Sequence, residues 1–213
     1  MQDVAHILYG SQNQQYDLPT SDKDYKIIWV PSFSDLYYSR NGNKHTLGAQ
    51  YDKEHYTGLD IRNWCDLLIK GNPNAIELLF SSEIDIYNSS FIPWLRTAQS
   101  VYQTGYIYEV WDTFISACKG IAKSCFERGT LDKANARQEF WYLFIQKVKQ
   151  NNFIVNDESF LVGERPRQVR LGLVEPTQFD WDELRDIPPY LTNGGAKEEL
   201  VFSTIDFVKD NMF

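Results

Sequence analysis

The 213-residue sequence has few cysteines, no long apolar run and no excess of basic residues. Its three cysteines argue against a disulfide framework and indicate reduced side chains in a folded core. No stretch approaches the roughly 20 apolar residues that cross a membrane as a helix. The first residues also lack the basic and apolar segments of a signal peptide. We therefore expect a cytoplasmic protein.

The charge balance is acidic, with 29 Asp and Glu residues against 21 Lys and Arg residues and a net charge of −8. This balance disfavours general nucleic-acid binding, although it leaves room for a local basic patch. Aromatic residues make up 15% of the chain, which is typical of a folded globule rather than a disordered protein. The length fits one domain, or a small domain with an appendage.

Two short apolar runs near the N-terminus flank a turn and a pair of carboxylates. Residues 4–9 lead into Gly10-Ser11, and residues 27–30 follow Asp22 and Asp24. In a strand, two aspartates that are two residues apart project from the same face. Two such charges repel each other unless a cation lies between them. Oxygen ligands of this kind suit Mg²⁺, which also takes substrate phosphates.

The Gly10-Ser11 pair favours phosphate binding beside these carboxylates. Gly10 allows a phosphate to approach the backbone closely, and Ser11 is expected to begin a helix with free N–H groups. The alternative is a common Gly-Ser turn followed by a solvated acidic loop, or a structural protein whose acidic loop binds a cation. The apolar runs on both sides favour the functional interpretation, because loops seldom lie between two such strands.

The pattern Gly10-Ser11, a polar spacer and Ser21-Asp22-Lys23-Asp24 resembles the DNA polymerase β-like nucleotidyltransferase superfamily. Three later motifs make the chain similar to a branch of small predicted nucleotidyltransferases of bacteria and phages, some of them linked to RNA repair. These motifs are Asp60-Ile61-Arg62, Lys70-Gly71-Asn72-Pro73-Asn74 and Glu77-Leu78-Leu79-Phe80. The resemblance implies an α/β (α+β) fold with a small mixed polymerase β-like sheet and helices in residues 1–90. A helical region, residues 91–213, would pack on this core.

The resemblance also implies a reaction. A nucleoside monophosphate passes from a nucleoside triphosphate to a hydroxyl acceptor, and pyrophosphate is released. Asp22 and Asp24 would be catalytic and would bind Mg²⁺ or Mn²⁺. The expected nucleotide-binding residues are Gly10, Ser11, Ser21, Lys26 and Arg62. The acceptor stays open between an RNA 3′ end, a protein hydroxyl and a small molecule.

Two-metal phosphoryl transfer generally uses a third carboxylate from a neighbouring strand. In the branch it resembles, an aspartate often stands near the position of Thr57. Glu54 is the nearest acid in the expected strand and is our candidate, and Asp60 is the second candidate, although it also fits a helix cap. A one-residue change of register would turn Glu54 away and present His55. Without a third carboxylate, the alternative function is a nucleotide-binding regulatory, toxin–antitoxin or phage-defence module with weak or no catalysis.

Several other charged residues have two interpretations. Lys26 either contacts a triphosphate or is an exposed strand residue, and Arg62 either faces a phosphate or pairs with Asp66. We expect Glu77 to be a buried polar anchor rather than a catalytic group. A C-terminal cluster either faces the cleft or forms surface ion pairs: Arg165, Arg167 and Arg170.

Helical periodicity and breaker residues predict the remaining elements. Asp60 is expected to cap a helix that ends at Gly71, and Asn72 with Pro73 to begin the next. Longer helices are expected over residues 106–128, 132–150 and 196–210. The expected turns and breaks are at Asn41-Gly42-Asn43, Gly129, Pro188-Pro189 and Gly194-Gly195.

Overall fold

The computed structural model describes residues 2–32, 48–51, 54–128, 131–187 and 195–212. Some of the features expected from the sequence fall on the other residues and therefore lie outside the described part of the chain. They are the turn at Asn41-Gly42-Asn43, the helix stop at Gly129 and the breaks at Pro188, Pro189 and Gly194.

A five-stranded mixed sheet contains the N-terminal part of the chain. Its strands are β1 (Gln2–Tyr9), β2 (Lys23–Val30), β3 (Gly48–Tyr51), β4 (Glu54–Asp60) and β5 (Ile84–Ile86). Their spatial order is β3-β4-β2-β1-β5. The β2–β4 pair is parallel, and the other neighbours are antiparallel. The first two strands confirm the prediction from the two apolar runs, and β4 confirms the strand expected to carry Glu54, between Tyr51 and Leu59. The β5 strand has no counterpart in the prediction from the sequence.

The strand register decides which side chains share a face of the sheet. Asp24 lies opposite Tyr9 on β1 and opposite His55 on β4. Lys23 lies opposite Glu54. Because successive side chains alternate between faces, Tyr9, Asp24 and His55 lie on one face and Glu54 lies on the other.

Two capped helices follow the sheet. The α1 helix (Ile61–Ile69) begins directly after β4, where the Asp60 side chain accepts a hydrogen bond from the Arg62 backbone N–H at 2.8 Å. The Asn72 side chain caps α2 (Pro73–Leu79), which begins with proline. Both boundaries confirm the capping pattern in the sequence, because each cap satisfies backbone N–H groups that have no partner within the helix.

The rest of the described chain is helical. It comprises α3 (Phe91–Gln103), α4 (Trp111–Glu127), α5 (Leu131–Gln150), α6 (Asp157–Phe160), α7 (Arg165–Arg170) and α8 (Ala196–Asn211), with short 3₁₀ turns at Tyr106–Tyr108 and Glu183–Arg185. Helix α5 contacts α4 and α7, and α8 contacts α1 and α3. The positions of α5 and α8 confirm the expected helices. The helix expected from residue 106 instead begins at Trp111, and α3 has no counterpart in the sequence-based expectation.

One hydrophobic core runs from the sheet into these helices. It joins Ile7 and Ile28 of the sheet to fully buried aromatic side chains of α5, including Trp141 and Phe144. All three cysteines are buried in the core, as the composition predicts. None of the described helices has both the length and the apolar character needed to cross a membrane. The architecture confirms the expected class, a mixed α/β sheet followed by helices.

Candidate functional site: a cleft between the sheet and the helices

A buried carboxylate holds the turn that follows β1. Glu77 Oε1 accepts hydrogen bonds from the Gly10 backbone N–H at 2.7 Å and from Asn13 Nδ2 at 3.1 Å, and Oε2 accepts one from Gln14 Nε2 at 2.6 Å. Burial raises the pKa of Glu77 even though these donors and the nearby Arg137 lower it. Glu77 is therefore placed as the polar anchor that the sequence predicts, and it joins α2 to the turn.

Ser11 does not begin a helix. The Gln14 N–H donates to the Gly10 carbonyl at 2.9 Å and the Tyr16 N–H donates to the Ser11 carbonyl at 3.0 Å, which makes an irregular turn. Gln15 has a positive φ of 58°, outside the helical region. Within the described part of the chain, three backbone N–H groups of this turn have no hydrogen-bond partner, those of Ser11, Gln12 and Asn13.

Gly10 lies against the acidic strand. Its φ is +80°, and a Cβ atom added to it would lie 3.3 Å from Asp24 Oδ2. A side chain at this position would combine backbone strain with crowding of the carboxylate. The glycine therefore allows the turn and the aspartate to lie side by side.

The two expected aspartates meet His55 at the N-terminal ends of β2 and β4. His55 Nδ1 is 3.5 Å from Asp24 Oδ1, and His55 Nε2 is 3.9 Å from Asp22 Oδ2. Both aspartates are partly exposed and line an opening of about 260 Å³, which Ser11 and Ser21 also line. The structure thus brings four of the sequence-selected residues into one cleft, with an imidazole between the carboxylates.

Glu54 is not beside these aspartates. It lies opposite Lys23, and its carboxylate accepts a hydrogen bond from Tyr56 Oη at 2.8 Å on the other face of the sheet. There the Tyr56 ring stacks on Tyr25 with 5.2 Å between ring centroids. The strand register differs by one residue from the one that would present Glu54 to Asp22 and Asp24, and His55 takes that place.

Asp60 and Arg62 are also outside the cleft. Asp60 lies opposite Trp29, whereas His55 lies opposite Asp24. At about 3.3 Å per residue, this places Asp60 about 16 Å along the strand from His55. The buried Asp60 carboxylate forms an ion pair with Arg62 at the start of α1. Arg62 thus pairs with a carboxylate, the second of its two interpretations, but the partner is Asp60 rather than Asp66. Neither Asp60 nor Arg62 lines the cleft that contains Asp22 and Asp24.

Lys26 shares the face of Asp24 but lies deeper in the sheet. Its Nζ atom is 4.6 Å from the centroid of the Tyr9 ring, and burial lowers the pKa of its ammonium group. Thr57 pairs with Lys26 in the strand register. It stands where members of the branch that this chain resembles often have an aspartate. Thr57 is neutral, so β4 places no carboxylate opposite Lys26.

The opposite wall of the cleft is basic. Arg128 follows α4, Lys133 and Arg137 lie in the first half of α5, and Arg170 ends α7. The first three line a cavity of about 300 Å³ together with Tyr9, Gly10, Ser11, Tyr16, Asp24 and Cys125. Lys133 and Arg170 line the opening that contains the two aspartates. We call these four side chains the basic wall.

Sequence analysis singles out Arg170 but not the other three residues of the basic wall. A signal for Arg137 exists, because it lies four residues before Trp141 on the stripe that is apolar in the later turns of α5. A charged residue on a stripe that faces the core is unusual and indicates either a partner or a site.

The basic wall has no matching carboxylates. Among the described residues, none of its four members forms an ion pair within 4 Å. Arg170 Nη1 donates to the Tyr16 carbonyl at 3.0 Å, and Arg137 Nη2 donates to Asn74 Oδ1 at 3.3 Å. Arg128 and Arg137 also contact the Cys125 sulfur at 3.6 and 3.8 Å. The wall therefore keeps its positive charge toward the cleft.

The three C-terminal arginines do not share one role, because two form ion pairs and one faces the cleft. Arg165 Nε is 2.7 Å from the buried Glu139 carboxylate, and Arg167 lies 3.9 Å from Glu164. Both belong to ion pairs, whereas Arg170 lines the cleft. Only part of the expected cluster is therefore available to a ligand.

The two aspartates fit a hard divalent cation. Within the described ranges, no group of three or more His, Cys, Asp and Glu side chains is placed to hold a metal. A cation at Asp22 and Asp24 would therefore take two carboxylates and complete its ligand shell with phosphate oxygens and water. Mg²⁺ commonly binds in this way, because it needs one or two carboxylates and retains several waters.

Comparison with protein-family models finds no match, and comparison with curated proteins finds none either. Among solved structures, the chain is similar to the crystal structure of a nucleotidyltransferase-like protein from Exiguobacterium sibiricum 255-15. The identity is 9%, the alignment covers 98% of this chain and 69% of that chain, and the TM-score is 0.31. A likeness at this level carries no argument about the reaction, so the functional inference rests on the cleft.

Proposed function

We propose that the cleft binds a nucleoside triphosphate together with Mg²⁺ or Mn²⁺ and transfers its nucleoside monophosphate to a hydroxyl acceptor. The observation that carries this proposal is the pairing of Asp22 and Asp24 with a basic wall across one cleft. An anion site alone would need no carboxylates, and a cation site alone would need no basic wall. A metal–polyphosphate ligand explains both, because the carboxylates hold the metal and the cations hold the phosphates.

The transfer is an in-line displacement. The acceptor oxygen forms a bond to the α-phosphorus. The bond between that phosphorus and the oxygen that bridges it to the β-phosphorus breaks. Pyrophosphate leaves with the electron pair, and the acceptor proton passes to water at the open mouth of the cleft. A bound divalent cation would supply neutralisation of the charge on the phosphates.

The chain's own residues have separate tasks in this reaction. Asp22 and Asp24 position the cation, and Gly10 leaves room beside Asp24 for a phosphate. Lys133 and Arg170 orient the phosphate chain, since both line the same opening as the aspartates. Fixed positive groups of this kind stabilise charge that develops on the leaving group.

The test offers each of the four labelled nucleoside triphosphates to the protein in cell extract, with and without Mg²⁺ or Mn²⁺. We expect cation-dependent release of pyrophosphate and labelling of one class of acceptor. Asp22→Asn combined with Asp24→Asn should reduce transfer by at least about a hundredfold, because the metal and its charge stabilisation are lost.

The matched control is Asp206→Asn with Asp210→Asn, which removes two exposed aspartates from α8 far along the chain. It should transfer at the wild-type rate. A folded Asp22/Asp24 double variant that transfers as fast as this control would contradict the proposal.

A nucleotide-binding regulatory module with weak or no catalysis is the second candidate. It is favoured by the imidazole of His55 opposite Asp24 and by Glu54 facing the other side of the sheet. In that case the protein binds triphosphate with Mg²⁺ and releases no pyrophosphate. His55→Asp would place a carboxylate opposite Asp24, and a gain in transfer rate would identify a weak enzyme that lacks its third acid.

A further inference from the structure

We infer that the cavity between the Gly10-Ser11 turn and α5 is a pyrophosphate subsite built by side chains of the helical region. It would hold the β- and γ-phosphates and thereby fix the direction in which the nucleotide lies. The inference rests on the proposed function, because it assigns the two halves of one cleft to different parts of the same ligand. Three observations support it: buried donors that have no partner, the positive charge of the cavity lining, and the residues that line both cavities.

Two residues that line this cavity have a buried donor without an acceptor. Among the described residues, the Tyr16 hydroxyl and Arg137 Nε are buried without a hydrogen-bond partner. Tyr16 is fully buried, and burial raises the pKa of its hydroxyl to about 12, so the group keeps its proton at neutral pH. Buried polar groups in folded proteins are nearly always paired, and each exception needs an explanation. Phosphate oxygens accept such donors, and Arg137 lines the same cavity as Tyr16.

The charge of the cavity selects a ligand with several negative charges. Among the described residues that line it, Arg128, Lys133 and Arg137 are cationic and Asp24 alone carries a carboxylate. The buried Glu77 also acts on Arg137 electrostatically, but its oxygens are occupied by the donors of the turn. A monoanion would leave most of this positive charge unmatched, whereas pyrophosphate brings enough negative charge and several acceptor oxygens.

The turn itself supplies less than the motif suggests. The Gly10 N–H donates to Glu77, so it is not available to a phosphate. The turn N–H groups that have no partner in the described chain, those of Ser11, Gln12 and Asn13, carry no net charge. The cationic contacts therefore come from side chains at the end of α4 and in α5, beyond residue 90 and far from the residues that carry the sequence resemblance.

The junction of the two cavities sets the direction of the ligand. Ser11, Asp24 and Lys133 line both the cavity of about 300 Å³ and the opening of about 260 Å³, which we call the inner and the outer cavity. Asp22 and His55 line only the outer one. A phosphate chain that ends in the inner cavity would place its α-phosphate beside the two aspartates. The nucleoside and the acceptor would then both lie toward the outer opening.

The experiment titrates inorganic pyrophosphate into the full chain by calorimetry, in EDTA and low salt. We expect wild-type protein to bind pyrophosphate and to bind orthophosphate at least about tenfold more weakly. Lys133→Gln and Arg137→Gln should each weaken pyrophosphate binding by roughly tenfold or more, because a charge-assisted contact is lost. The matched control is Lys123→Gln on α4, which removes an exposed lysine paired with Glu127 at 3.7 Å and should leave binding unchanged.

Tyr16→Phe keeps the ring and removes only the hydroxyl, so it tests the subsite even if an Arg137 variant fails to fold. It should weaken pyrophosphate binding several-fold. Asp22→Asn with Asp24→Asn should keep metal-free pyrophosphate binding while losing cation-dependent transfer, which separates this inference from the proposed function. Wild-type protein that does not bind pyrophosphate would overturn the subsite. Equal binding by the Lys133, Tyr16 and Lys123 variants would overturn it too.

Discussion

The two walls of the cleft are built in different ways. The sheet wall comes from residues close in sequence, since Gly10, Asp22 and Asp24 belong to the β1 and β2 region. Backbone pairing between Tyr9 and Asp24 fixes its geometry. The basic wall comes from three separate helical segments that are distant in sequence from the first wall. The first wall can be recognised as a motif, whereas the second exists only after the helices have packed.

The walls also differ in what holds them. Glu77 ties the turn of the sheet wall by three hydrogen bonds. Helix α5 is held by aromatic packing, in which the Phe140 ring lies 6.2 Å from Tyr16 and the Trp141 ring lies 6.0 Å from Phe114 of α4. Directional bonds set the first wall, and apolar contacts set the second. The four predictions that follow test this contrast.

The largest effect is expected at the sheet wall, from Gly10→Ala. A left-handed alanine costs about 1–2 kcal/mol, and the new Cβ would also crowd Asp24 Oδ2. Urea unfolding should show this loss of stability, and triphosphate binding with Mg²⁺ should weaken as well. Gly163→Ala is the control, because Gly163 has nearly the same φ of +81° and no atom within 4 Å of its Cβ position. It should lose similar stability and keep full binding; equal binding losses would place the effect in folding rather than in the cleft.

A smaller effect is expected at the basic wall, from Arg170→Gln. Removing one partly exposed cation should weaken triphosphate binding by about fivefold, and the difference should shrink at high salt. Arg167→Gln provides the comparison three residues away, because Arg167 pairs with Glu164 and does not line the cleft. Titrations of both variants at two salt concentrations are sufficient. The same loss in both variants would indicate a general effect of charge.

Glu77→Gln should change how stability depends on pH. Burial raises the pKa of Glu77 in the folded state, so the folded protein binds more protons than the unfolded chain between the ordinary and the raised pKa. Stability should therefore fall as pH rises through this interval, and the variant should show a flatter dependence. Gln14 can adapt to the new amide, because its own Oε1 is buried without a described partner. Unfolding midpoints across mildly acidic to neutral pH would measure the slope, and identical slopes would argue against a titrating Glu77.

The smallest effect is expected from Glu54→Gln. The sequence interpretation expects about a hundredfold loss of transfer for a missing general base. The strand register places Glu54 on the other face, beside Tyr56, so we expect transfer within about twofold of wild type. Single-turnover rates would decide between the two. A large loss of transfer rate would show that Glu54 takes part in the reaction.

The sequence predicts much of the fold because its signals are local. The two short apolar runs predict β1 and β2, and the capping residues Asp60 and Asn72 predict the starts of α1 and α2. It also places Asp22 and Asp24 together, since their spacing in a strand determines their common face. These features depend on neighbours within a few positions.

The rest depends on distant parts of the chain. Whether Glu54 or His55 faces Asp24 follows from how β4 pairs with β2, and residue spacing alone does not set this register. The short β5 strand forms because it pairs with β1, which has no local signal. Lys133 and Arg137 become site residues only when α5 packs beside the turn. Each of these features is decided by tertiary contact rather than by propensity.

The hydrogen bond between Arg170 and the Tyr16 carbonyl joins residues 154 positions apart, whereas the bond between Gly10 and Glu77 spans 67. During synthesis, the hydrogen bond between Gly10 and Glu77 can therefore form once α2 has left the ribosome, before α5 and α7 have been made. A nascent chain that ends before α5 would carry the acidic pair without the cations that face it. Since the sheet and α5 share one hydrophobic core, affinity for a polyanion would arise only after α5 and α7 have been made.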